Sequence, residues 1–128
     1  MREIIIKAFG YFEPAAQDCL EELHTLCQSW YLDTQVFQLE GNGLHIYHEG
    51  EYFPDEEAAA ILAKYITEKS QGKLDIIDYE AWKLRRYFLQ MAYQRKEDLA
   101  KGIVYSRSSS LDHALEASMQ KNSQVEIK

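Results

Sequence analysis

Between Lys7 and Lys64 the chain has no lysine and no arginine, while the same interval holds eleven carboxylates. A phosphate-tracking surface built from that segment is excluded, because nucleic-acid backbones are held by basic side chains and repelled by acidic ones. Cysteine is scarce: Cys19 and Cys27 are the only two. Eight residues of helix set their Cα atoms about 12 Å apart at a rise of about 1.5 Å per residue, so a mutual disulfide is excluded. Neither CxxC spacing nor a basic neighbour marks either thiol as reactive. Long apolar runs are missing as well. Ala58 to Leu62 falls far short of a bilayer span, and the apolar stretch of MREIIIKAFGYFEP is too short for a signal peptide. A cytoplasmic protein without membrane contact is the expectation.

Catalytic signatures are absent too. The chain has no GxSxG elbow, no histidine-paired cysteine motif and no GxxxxGKS, GxxxxGKT or GxGxxG phosphate cradle. CxxC, HExxH and HxH spacings are missing, and His45 and His48, three apart on a strand, point to opposite faces. The Ser106 to Ser110 cluster reads as a flexible loop and His24 as a structural histidine on a helix. No metal, no cofactor and no enzymatic activity are expected.

What is present suits one small domain. At 128 residues, with 46% apolar and 12% aromatic content, the chain can bury a single core without staples. Residues 1–119 are expected to form that domain and 120–128 a flexible C-terminal tail. Charge is divided unevenly: residues 1–80 carry 16 acids against 5 bases, residues 81–128 carry 5 against 9, and the whole is −7.

REIIIKAFGYF is a strand by its β-branched and aromatic content, with Ile4, Ile6, Ala8 and Phe12 on one face. Ala8 and Gly10 would let a helix approach closely. EPAAQDCLEELHTLCQSW has helical spacing at Ala16, Cys19, Leu20, Leu23, Cys27 and Trp30, with Pro14 in the first turn. TQVFQLEGNGLHIYH reads as a hairpin around Gly-Asn-Gly, with Phe37, Leu39, Leu44 and Ile46 on the core face and Val36, Gln38, His45 and Tyr47 opposite. PDEEAAAILAKYITEKSQG is a helix from Pro54 towards Gly72, its three acids facing the positive end of the dipole, and KLDIIDY is another strand. The order β-α-β-β-α-β predicts an α+β, two-layer, ferredoxin-like antiparallel sheet with both helices on one face. Residues 79–107 fit a helix or a further strand, short apolar runs being ambiguous. SRSSSLDHALEASM reads as a loop and a helix capped by Ser109, so a C-terminal helical extension is expected.

Two surfaces follow. Asp18, Glu21, Glu22, Glu40, Glu49, Glu51, Asp55, Glu56 and Glu57 form an acidic surface suited to a protein partner with a basic surface. The expected function is a non-enzymatic inhibitor or protein-binding protein. Its sharper form is a nucleic-acid mimic that blocks a nucleic-acid-binding complex, of anti-CRISPR or anti-restriction type, carried by a phage or mobile element. Phe9, Tyr11 and Tyr47, with Ile5, Val36 and His45, should lie on the sheet face the helices leave open. Residues 79–119 folding over that face, or a homodimer through it, would bury them. Direct nucleic-acid binding there is not expected, because the hairpin brings no Lys or Arg. The alternative is a small-ligand or enzymatic domain with a pocket near His45 and Tyr47.

Overall fold

The computed structural model describes residues 4–113 as an α+β fold built on one six-stranded antiparallel sheet. Strand β1 (Ile6–Glu13) leads into helix α1 (Gln17–Ser29), followed by a 3-10 turn at Thr34–Val36 and the hairpin of β2 (Phe37–Glu40) and β3 (Gly43–Gly50). Helix α2 (Asp55–Ala63) crosses to β4 (Gln71–Asp78), which turns into β5 (Lys83–Phe88). A 3-10 turn at Met91–Tyr93 and a short helix α3 (Lys96–Ala100) precede β6 (Ser106–Ser110). The strands lie in the order β2-β3-β1-β4-β5-β6, so the sheet has two strands more than a simple four-stranded ferredoxin-like sheet.

The hairpin register pairs Leu39 with Leu44 and Phe37 with Ile46, leaving Gly41-Asn42 as the two-residue loop. Gly41 takes φ 62°, which only glycine adopts freely. The core lies between the sheet and α1 and α2: Ala8, Phe12, Leu44, Leu74 and Phe37 meet Cys19, Leu23, Cys27 and Leu62, all buried. Both cysteines are free inside it. Burial, with the charge of Glu22, pushes the Cys19 thiol up to about 12, and burial pushes Cys27 up to about 11.

Several expectations need correction. Ser106–Ser110 is the edge strand β6 rather than a loop, and 83–88 is a strand, with the short helix α3 between them; the helix expected after the serines begins at residues 111–113. Alternation won over helical spacing because β4 offered a free edge for Lys83 to Phe88 to pair with. Ser110, not Ser109, caps the turn that follows, accepting from His113 N at 3.1 Å; the rest of that expected helix and the tail lie outside the described residues. Within residues 79–113, β5 and β6 extend the sheet, and of the segment between them Tyr93 stacks on Phe88 at one corner of the open face, leaving Phe9, Tyr11 and Tyr47 uncovered by it. Helix α2 stops at Ala63, because Thr67 and Ser70 close a turn in which Thr67 N donates to Ser70 Oγ at 2.8 Å. Val36 is buried in the 3-10 turn rather than on the open face, and Trp30 caps α1 half-exposed. At Gly10 the close approach is strand to strand: a Cβ there would lie 2.1 Å from the Lys73 carbonyl oxygen.

Candidate functional site

Strand directions divide the expected acidic surface between two ends of the sheet. Ala15 N donates to Asn42 O at 2.7 Å, so α1 begins beside the hairpin loop and Asp18, Glu21, Glu22 and Glu40 stand at that end. Glu22 is engaged there by Lys64 and by the Tyr65 hydroxyl, which hold its carboxyl below the usual carboxylate value. Glu40 lies 3.7 Å from His45. Glu49, Glu51, Asp55, Glu56 and Glu57 gather at the opposite end, where β3 runs out and α2 starts.

That second end also collects aromatic rings. Helix α1 finishes in a reversed turn: Leu32 N donates to Cys27 O at 2.8 Å and Tyr31 N to Gln28 O at 3.5 Å. This pattern places the residue after the cap in the left-handed region, normally glycine or asparagine. Here the position is held by Tyr31, with φ 56° and 97% of its surface exposed. Its neighbour Trp30 packs against Tyr52 with ring centroids 5.1 Å apart and ring planes tilted by 35°. Tyr52 is held out by Phe53 and Pro54, which bury themselves behind it. Burial, then the charges of Glu57, Asp55 and Glu56, raise the Tyr52 hydroxyl above its ordinary value.

Beside these rings a cleft of about 600 Å³ opens over Ile6, Ile76 and Phe53. Its walls carry four acids, Glu51, Asp55, Asp78 and Glu80, against two bases, Lys83 and Arg85. A second cleft of about 410 Å³ shares Arg85 and reaches Tyr87 and Glu56. Tyr87 is buried and donates to Asp55 Oδ2 at 2.5 Å, which fixes the carboxylate at the start of α2. Arg85 Nε donates to Ser108 Oγ at 3.1 Å. Neither cleft is lined by His45 or Tyr47.

The open face is ordered by register. One row across the strands runs His45, Tyr11, Lys73, Phe88, and the next runs Tyr47, Phe9, Asp75, Arg86, Arg107. Asp75 is only 1% exposed and accepts from Arg86 Nε at 2.8 Å and Nη2 at 3.0 Å, with Lys73 at 3.8 Å. Lys7 lies 5.3 Å from the Phe9 ring and 5.7 Å from the Tyr47 ring. The Tyr47 hydroxyl donates to Glu49. The hairpin without Lys or Arg therefore forms only part of this face, because β4, β5 and β6 bring Lys73, Arg86 and Arg107 to it.

His45 and His48 do lie on opposite faces, His48 bonding Tyr52 O at 2.9 Å. His24 Nε2 bonds Phe37 O at 3.0 Å, a structural contact between α1 and β2. Among the described residues no three His, Cys, Asp or Glu side chains converge as metal ligands, and no helix is long and apolar enough to cross a membrane. Sequence reading missed Tyr31 and Tyr52 as exposed anchors and Lys73, Arg86 and Arg107 as neighbours of the open face. The signal for the first was WYLD, an aromatic pair where the helical stripe ends. The second required knowing strand order. The chain matches no known family model, no curated protein and no solved structure.

Proposed function

We propose that this chain is a non-enzymatic binding protein that captures a basic protein partner at the end formed by Trp30, Tyr31, Tyr52, Glu51, Asp55, Glu56 and Glu57. The observation that carries the proposal is Tyr31, a large ring held in a left-handed conformation with almost its whole surface in water. Such a conformation costs about 1–2 kcal/mol for a residue with a Cβ, and nothing it packs against offsets that cost. Strain of this kind concentrates at functional positions. Exposed Trp and Tyr are the usual anchors of protein interfaces, and a carboxylate rim selects a basic partner and speeds its encounter. The cleft beside the rings suits an arginine or lysine side chain.

The scaffold is read as ferredoxin-like in its first part, where β2-β3-β1-β4 with α1 and α2 follow a split βαβ order and β5 and β6 are an addition. Asp18 and Glu21, at the far end, supply field rather than contact. Reversing them to lysine should slow association and leave dissociation nearly unchanged. In the narrower form of the proposal the carboxylates stand in for phosphates, the partner is a nucleic-acid-binding effector, and DNA or RNA competes for it.

The test is a titration with a labelled arginine-rich peptide, read by fluorescence anisotropy. Binding should weaken steeply between low and physiological salt, where screening shortens to about 8 Å. Changing Glu51, Glu56 and Glu57 together to lysine should abolish it, Trp30→Ala should weaken it at least tenfold, and changing Glu116 and Glu126 should matter little. Equal binding by all four proteins would refute the assignment.

A further inference from the structure

The geometry points to the open face of the sheet, from β1 to β6, as a platform for a single-stranded nucleic acid. At the β5–β6 corner Phe88, Tyr93 and Tyr105 form one cluster: Phe88 and Tyr93 stack at 4.6 Å, and Tyr93 and Tyr105 lie nearly parallel at 6.2 Å. Phe88 also contacts Tyr105 at 5.6 Å. Tyr93 and Tyr105 nevertheless keep 44% and 41% of their surface exposed, so ring faces remain for a base. Arg107 sits 5.7 Å from the Phe88 ring, with Nη2 3.4 Å from the Tyr105 hydroxyl.

Charge at this corner differs from the rest of the molecule. Lys73 pairs across the sheet with Phe88 on one side and Tyr11 on the other. Asp75 is the one acid among the open-face residues of β5, β6 and the Lys73–Ile77 stretch of β4, and Arg86 already satisfies it through two hydrogen bonds. Lys73, 3.8 Å from Asp75 with its side chain 40% exposed, and Arg107, over the Phe88 ring, set two cations beside the aromatic rings. Alternating rings and cations is the chemistry that binds single strands without reading sequence, bases stacking on the rings and phosphates meeting the cations. Four strands from β1 to β6 span about 14 Å at about 4.8 Å per strand, which limits the platform to a few nucleotides. Glu51, Asp55, Glu56 and Glu57 lie outside the strands that form this face, so substituting them tests the two surfaces separately.

The test uses the full chain and a fluorescein-labelled oligothymidine at low salt. Saturable binding is expected. Tyr105→Ala should weaken it by about fivefold or more, the lower bound for one lost base stack, and Lys73→Gln or Arg107→Gln should each lower the slope of log affinity against log salt by about 0.7. The triple lysine variant at Glu51, Glu56 and Glu57 should keep both sensitivities. No binding at low salt overturns the inference, as does binding indifferent to these substitutions. Sedimentation showing a dimer that Tyr105→Ala dissociates would also overturn it, by assigning the face to a second copy of the chain.

Discussion

At the scale of single residues, Tyr31 separates stability from function. Tyr31→Gly relieves the left-handed backbone, so the variant should be more stable by about 1 kcal/mol in chemical denaturation and yet bind the arginine-rich peptide more weakly. A variant both less stable and unimpaired in binding would show the ring to be structural. Glu22 gives a pH signature. Lys64 first, then Tyr65, holds its carboxyl below the ordinary 4.5, so its contribution is present above that value and is lost as pH falls through the lowered one. Glu22→Gln should therefore cost up to about 1 kcal/mol at neutral pH, as exposed pairs do, and should converge with the parent in acid; a difference constant down to pH 2 would contradict this. The thiols, raised to about 12 and about 11, should resist alkylation at neutral pH until the protein unfolds.

Elements are legible in the sequence where a local rule decides them. The hairpin core face followed from Gly-Asn-Gly and alternation, and α1 from its apolar spacing, because both patterns are local. Strand β5 and the length of α2 were not legible, since WKLRRYFLQ fits two periods and α2 ends at a turn closed by Thr67 and Ser70 rather than at the later glycine. Gly10 shows the limit of local reading most clearly. Its lack of a side chain serves the β1–β4 pairing, where a Cβ would meet the Lys73 carbonyl oxygen at 2.1 Å and Leu74 Cα at 2.9 Å. Backbone atoms cannot swing aside, so Gly10→Ala should destabilise by about 1–3 kcal/mol or more, read as a lowered denaturation midpoint. An unchanged midpoint would mean that the central pairing is looser than this.

For the whole molecule, folding turns a lopsided charge distribution along the chain into a division between surfaces. The first 80 residues supply most carboxylates, yet on the open face Asp75 lies beside Arg86 of β5, and Glu49 beside Lys7. One end is left acidic and aromatic, and one corner of the sheet basic and aromatic. The acidic residues were legible as candidates from composition, but their separation into two ends was not, because it depends on strand direction. The most direct measurement is amide chemical-shift mapping of the labelled protein with the arginine-rich peptide. Perturbations confined to Trp30 to Asp33 and Glu51 to Ala58, reversed by salt, are the predicted result. Shifts spread evenly over all acidic segments, or centred on Lys73 and Arg107, would contradict the assignment of the acidic end as the binding site.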